Sequence, residues 1–187
     1  MKKIVLKSTS PRRKELLEKL GYDFIVKSFD VDETMDPNLS AIDNVLNVSL
    51  RKVLAKREEY KEYIQIGCDT IVVLDGKVYG KPKDEDDAKR MLKTFSGKTH
   101  QVISGLSVID NDIIYNTAVI SYVTFKKLTE TKIDNYIETK ECFGKAGAYA
   151  IQGLGKNLVE SYSGSLNNII GLPTEKLKEI LGELHEL

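Results

Sequence analysis

Ile64-Gln65-Ile66-Gly67-Cys68-Asp69-Thr70-Ile71-Val72-Val73-Leu74, then Asp75-Gly76, then Lys77-Val78-Tyr79, is the stretch that decides the fold. A long β-rich run, an Asp-Gly pair and a shorter run make a hairpin signal, because Asp-Gly readily adopts the positive φ angles of a tight turn. A hairpin puts its strands antiparallel, which argues against a purely parallel, doubly wound sheet. Within the long run Asp69 sets a carboxylate beside apolar residues. It reads either as a chemical group or as a turn residue at a strand entrance. Lys81-Pro82 closes the same hairpin and would return a lysine beside Asp69.

Downstream, Asp84 is placed to cap a helix whose first turn carries Glu85, Asp86 and Asp87, favourable at a helix N-terminus. Ala88, Met91, Leu92 and Phe95 form its core face, and Gly97 stops it. Gln101–Ile109 and Ile113–Phe125 are β-rich runs around Asp110-Asn111-Asp112, and a helix-rich stretch covers Glu130–Thr139. Thr174 is the expected cap of a last helix with Leu177, Ile180, Leu181 and Leu184 as its stripe. Upstream, Ile4–Leu6 is a short strand, Ser10-Pro11 opens a helix with Leu16, Leu17 and Leu20 as its apolar face, and Gly21 ends it. Phe24–Val26 reads as a second strand. Ser40 caps a long helix reaching about Arg57, with Ile42, Val45, Ser49 and Val53 on one face. Alternating helices and strands of this kind predict helices on a mixed sheet.

The chain has 187 residues, 28 Lys+Arg against 28 Asp+Glu, and 41% hydrophobic residues. That is ordinary globular usage in a single domain, 1–187, and it excludes global disorder. A zero net charge counts against a nonspecific nucleic-acid or membrane-surface binder. No apolar run approaches the roughly 18 residues of a membrane span. The apolar core of the first residues, Ile4-Val5-Leu6, is too short for a signal peptide. Cys68 and Cys142 form neither metal-ligand spacing nor a disulfide framework, so a reduced cytoplasm is the expected location.

Charge is nonetheless uneven. Residues 1–19 hold Lys2, Lys3, Lys7, Arg12, Arg13, Lys14 and Lys19 against Glu15 and Glu18. Residues 30–43 hold Asp30, Asp32, Glu33, Asp36 and Asp43 and no cation. Together they suit an anionic substrate and its metal, or simply two solvated faces. The common signatures are missing: no G-x-x-x-x-G-K-S/T loop, no G-x-G-x-x-G after a strand, no H-E-x-x-H and no G-x-S-x-G. His100 and His185 are the only histidines, which excludes a His-rich metal site.

Four constellations remain. Ser8-Thr9-Ser10-Pro11-Arg12-Arg13 lies between a strand and a helix, where hydroxyls, backbone N–H groups and two guanidinium forks make a phosphate cradle, or a capped helix with two exposed arginines. Lys52 projects near the apolar face of its helix, so it either snorkels or meets an anion. Gly67-Cys68-Asp69-Thr70 is the third. Gly144 through Gly153 is the fourth: its small residues allow close approach to a planar ligand, or a tight packing corner, and Gln152 both donates and accepts.

S-x-S-P-R-R, D-T-I-V from residue 69, G-K-P at 80–82, S-G-K-T-H at 96–100, K-A-G-A-Y-A-I-Q-G at 145–153 and G-L-P at 171–173 occur in this order and span nearly the whole chain. The set resembles the Maf family of nucleoside triphosphate pyrophosphatases, and A-Y-A-I-Q-G is similar to its dTTP/UTP branch. The chain departs from the family pattern at Cys68, where alanine is usual, at Gly144, where an acidic residue is common, and at Ser104, which replaces a threonine.

The resemblance implies an α/β fold: a mixed elongated sheet flanked by helices, two lobes with a central cleft, as in inosine triphosphate pyrophosphatases. It implies hydrolysis between the α- and β-phosphates of dTTP and UTP with a divalent metal, Mg²⁺ or else Mn²⁺, and house-cleaning of modified pyrimidine nucleotides. Arg12, Arg13, Lys52 and Lys81 would face the triphosphate with Ser8 as neutral donor. Glu33 and Asp69 would ligate the metal, and Asp69, with Lys52 and Lys81, would carry catalysis. Arg12, Thr70 and Gln152 would shape base selection. The expected partner is a nucleoside triphosphate, with no stable nucleic-acid binding, no membrane, and a homodimer as in relatives. The alternatives are the same chemistry on another nucleotide such as 7-methyl-GTP, and a non-catalytic nucleotide-binding regulator of division.

Overall fold

A computed structural model of the chain describes residues 2–186; Met1 and Leu187, the ends of the expected domain, lie outside them. The helices are α1 (Pro11–Glu18), α2 (Ala41–Leu54), α3 (Glu85–Phe95), α4 (Glu130–Glu138), α5 (Leu166–Ile170) and α6 (Thr174–Glu186). The strands are β1 (Ile4–Lys7), β2 (Phe24–Lys27), β3 (Ile64–Leu74), β4 (Lys77–Tyr79), β5 (Thr99–Asp110), β6 (Ile113–Phe125) and β7 (Val159–Ser163). They form a seven-stranded sheet in the order β2-β1-β3-β5-β6-β7, with β4 paired to β3 off this path. β1 is parallel to both β2 and β3, whereas β3–β4 and β6–β7 are antiparallel. The mixed α/β architecture expected from the sequence is therefore present. No helix among the described residues is long and apolar enough to cross a membrane.

Packing divides the chain into two compact units. One takes Met1–Thr70, Ser104–Val119 and Gly171–Leu187, the other Ile71–Ile103 and Ile120–Ile170. In the first, parallel pairing of β1 with β2 requires a crossover, which α1 provides. Ser10 caps α1 with Pro11 in its first turn, as the sequence predicts, and Leu16 and Leu17 are buried. Ile4, Val5 and Leu6 of β1, Val45, Val48 and Val53 of α2, and Leu177, Ile180 and Leu181 of α6 are core residues of this unit.

The second unit is built on one apolar cluster that includes Val72, Leu92, Phe95, Phe125, Ile133 and Tyr149. The hairpin forms as read, with Asp75 at φ 50° and Gly76 at φ 74°, and its ladder runs from Leu74↔Lys77 to Val72↔Tyr79. Ala88, Met91, Leu92 and Phe95 are the buried face of α3 as expected.

Two readings are corrected. α2 stops at Leu54 instead of reaching Arg57. The buried Lys7 ammonium donates to the carbonyls of Val53 (2.6 Å) and Ala55 (2.5 Å) and so caps the helix, and Lys56 then turns to φ 53° ahead of a 3₁₀ turn, Arg57–Tyr60. Ile42, expected on the core face, is exposed, and Val48 is buried instead. β7 and α5 were not anticipated.

Candidate active site

The first unit assembles its polar groups around α2, β3 and the α1 N-terminus. Gly67 and Gly105 let α2 approach the sheet. A Cβ on Gly67 would lie 2.7 Å from the Ser49 carbonyl oxygen and 2.8 Å from the Val53 nitrogen, and one on Gly105 would lie 2.4 Å from the Val45 carbonyl oxygen. Only residues without a side chain fit there. The Ser49 and Ser107 hydroxyls, 2.9 Å apart, satisfy each other where helix meets sheet.

This close contact sets Lys52 against β3. Its Nζ donates to Asp69 Oδ1 at 2.8 Å and lies 3.2 Å from Glu33 Oε2. The Lys52 and Asp69 side chains are only 13% and 12% exposed, against 58% for Glu33. Asp69 lies inside β3, five residues from its start, so the turn-residue reading does not hold. Glu33 sits in a loop tied to α2: Arg51 donates to the carbonyls of Asp32 (2.7 Å) and Thr34 (3.0 Å), and Asn44 Oδ1 accepts the Asp36 N–H at 2.7 Å. Hydrogen bonds from Thr34 hold the Asp32 carboxyl below its ordinary range.

A second cluster gathers Arg13, Ser8 and Thr70. Arg13 Nε donates to the Gly171 carbonyl at 2.7 Å, Nη2 to Thr70 Oγ1 at 3.1 Å and Nη1 to Ser8 Oγ at 3.4 Å. Thr70 Oγ1 also lies 2.8 Å from Ser104 Oγ, and the buried Cys68 thiol points to the same Gly171 carbonyl at 3.4 Å. Burial pushes the Cys68 thiol up in pKa, keeping it a protonated donor. Arg12 is half-buried, and burial, then the Arg13 charge, draw its pKa down. Three sequence blocks, S-P-R-R, D-T and G-L-P, thus meet on one carbonyl.

Lys81 and Gln152 belong to the second unit, and both are exposed. Lys81 follows the paired part of the hairpin, and the preceding Gly80 carbonyl accepts the Gly147 N–H at 3.1 Å. That bond fastens the lysine's turn to the segment that carries Gln152. Sequence reasoning missed Lys7, Asn44, Arg51, Tyr136 and Glu141. Each takes its role from backbone groups outside its own stretch of sequence, Lys7 from Val53 and Ala55, Asn44 and Arg51 from the loop before α2, and Tyr136 and Glu141 from residues 150–155.

Chemically, the first unit offers two convergent carboxylates around one ammonium, with a hydroxyl- and guanidinium-rich helix start bonded to Thr70, the residue after Asp69. Hard oxygen donors in this number suit a small divalent cation that keeps several waters. Among the described residues no group of three or more His, Cys, Asp or Glu side chains is placed to hold a metal ion.

A family model described as Maf-like protein matches residues 3–184. A Clostridium botulinum relative named dTTP/UTP pyrophosphatase is 45% identical over 186 residues, which covers 97% of this chain and 98% of the relative. One of the same name from Bacillus cereus is 42% identical over 177 residues, covering 95% and 93%. A third, from Clostridioides difficile, is 44% identical over 182 residues, again 95% and 93%. Among solved structures, a HAM1 protein from Coxiella burnetii superposes with a TM-score of 0.54 at 11% identity, covering 98% of this chain and 100% of that one. At that identity the likeness concerns the fold alone.

Proposed function

The chain belongs to the Maf-like protein family, and from that premise we propose that it is a nucleoside triphosphate pyrophosphatase. It hydrolyses dTTP and UTP to the monophosphate and pyrophosphate. The observation that carries the reading is the near full-length identity to relatives named for this activity. The Lys52, Asp69 and Glu33 cluster supplies the matching chemistry.

In this reaction the oxygen of water bonds to the α-phosphorus, the bond from that phosphorus to the α–β bridging oxygen breaks, and pyrophosphate leaves. Asp69 accepts the proton of the attacking water. Lys52 orients Asp69 through its 2.8 Å hydrogen bond and places positive charge where the triphosphate needs it. Glu33 and Asp69 would hold Mg²⁺ or Mn²⁺, which supplies charge on phosphate oxygens and activates water. Arg12 and Lys81 are assigned to phosphate charge and Ser8 to a neutral contact. Arg13 and Thr70, already bonded to each other, are assigned to the substrate contact beside Ser8. Gln152 reads the O4/N3–H edge of uracil or thymine, since its amide both donates and accepts. Modified pyrimidine nucleotides with that edge intact are substrates of the same site. The setting is the cytoplasm, where the free thiols of Cys68 and Cys142 stay reduced, and the assembly is a homodimer.

The test is a screen of purified protein with Mg²⁺ against canonical and modified nucleoside triphosphates, with separate detection of pyrophosphate and orthophosphate. Pyrophosphate from dTTP and UTP is expected. Stoichiometric orthophosphate with a nucleoside diphosphate would overturn the proposal.

A further inference from the structure

Gln152 is exposed, yet the backbone on both sides of it is held by buried or half-buried polar groups. The Ala150 carbonyl accepts the Gly153 N–H at 3.1 Å, which closes a four-residue turn with Ile151 and Gln152 as its central residues. Before the turn, the Ala150 N–H donates to the Tyr136 hydroxyl at 3.2 Å. After it, the Leu154 and Gly155 N–H groups donate to the two oxygens of Glu141 at 2.9 and 2.8 Å. The Tyr136 hydroxyl in turn donates to Glu141 Oε2 at 2.8 Å. Tyr136 projects from α4 and is 5% exposed. One tyrosine–glutamate pair therefore grips the turn at both ends. A Cβ on Gly153 would fall 1.9 Å from Glu141 Oε1, so the carboxylate occupies the space a side chain would need.

We propose that Glu141 and Tyr136 are positioning residues that set the orientation of Gln152 and thereby base selectivity. The inference rests on the reading of Gln152 as the group facing the base. The chemistry favours an ionised carboxylate here. All its partners are donors, and their hydrogen bonds outweigh burial and hold the Glu141 carboxyl below its ordinary range. A charge-assisted acceptor binds backbone N–H groups more strongly than a neutral amide does. Replacement by glutamine leaves one accepting oxygen and turns an NH₂ toward a donor, so one end of the turn is released. Phenylalanine at 136 leaves the Ala150 N–H without its acceptor and Glu141 one donor short. Either change acts on the turn and leaves the Lys52–Asp69 pair of the other unit untouched.

The experiment measures kcat/KM for UTP and GTP in wild type, Gln152→Ala, Glu141→Gln, Tyr136→Phe and the Glu141→Gln/Gln152→Ala double variant, with thermal unfolding of each. The readout is the UTP:GTP ratio, which a merely structural defect does not change because it lowers both activities together. Glu141→Gln is expected to lower the ratio about tenfold, as the loss of one orienting hydrogen bond does, with KM for UTP moving more than kcat. Tyr136→Phe lowers it in the same direction and serves if Glu141→Gln does not fold. In the Gln152→Ala background Glu141→Gln should change the ratio no further. A ratio kept by both Glu141→Gln and Tyr136→Phe while Gln152→Ala lowers it would overturn this inference and leave the base reading standing. A ratio unaffected by Gln152→Ala would overturn both.

Discussion

Gly67→Ala tests the geometry that brings Lys52 to Asp69. Gly67 is not in the left-handed region, so alanine suits its backbone. With open space around it the substitution would stabilise by about 0.4–1 kcal/mol, through a less flexible unfolded chain. The space is closed, however. The new Cβ would lie 2.7 Å from Ser49 O, 2.8 Å from Val53 N and 2.9 Å from Val53 Cβ. Most of these are backbone atoms of α2, so no rotamer change relieves them. Restoring ordinary contact moves the helix out by roughly 0.7 Å, and overpacking of this kind costs about 1–3 kcal/mol. The clash therefore outweighs the entropy gain. At mid-range values the net loss is about 1–2 kcal/mol, and at about 2–4 °C per kcal/mol for a chain of this size Tm should fall by roughly 2–8 °C. Lys52, next to Val53, moves with the helix and its 2.8 Å contact to Asp69 lengthens, so turnover of dTTP should fall by about tenfold to 10²-fold. Thermal unfolding and pyrophosphate release measure the two effects. Gly182→Ala is the control: beyond its own helix backbone and chain neighbours nothing lies within 4 Å of the added Cβ, and inside α6 it should raise stability by up to about 1 kcal/mol. An unchanged or higher Tm for Gly67→Ala, with full activity, would refute the account of how the cluster is built.

Asp69→Asn should lower kcat by roughly 10²–10⁴, with Tm nearly unchanged because Glu33 still faces Lys52 at 3.2 Å; near-normal turnover would transfer the catalytic role to Glu33. Gln152→Glu should weaken kcat/KM for dTTP and UTP without altering Tm, since an ionised carboxylate only accepts; intact pyrimidine kinetics would remove Gln152 from the base site. Burial among Phe95, Phe125 and Tyr149 lowers the His100 pKa from 6.5 to about 4. The unfolded chain thus binds the proton first, and stability is lost as pH falls from 6.5 toward 4, by about 2 kcal/mol between pH 7.5 and 5. Urea unfolding at those two pH values should show this loss in wild type and a smaller one in His100→Phe; equal losses would contradict it.

What was legible in the sequence follows a physical rule. Asp75-Gly76, the Asp84 cap and the Ala88–Phe95 stripe specify local structure within a few residues, and β3, β4 and α3 formed as read. Lys52 was visible because helical phase places it beside Val45 and Val53. β7 was invisible because Val159-Glu160-Ser161-Tyr162-Ser163 is mostly exposed and carries no apolar alternation. The end of α2 was misjudged because its cap comes from Lys7, far away in sequence. Glu141 was missed for the same reason: its meaning lies in backbone N–H groups 13 and 14 residues away, which composition and period do not encode.

Hydrolysis of dTTP in ¹⁸O-labelled water, with mass analysis of both products, tests the central claim most directly. Attack at the α-phosphorus puts the label in dTMP and leaves pyrophosphate unlabelled, which is the result the account predicts. Label in pyrophosphate, or in released orthophosphate, would contradict it.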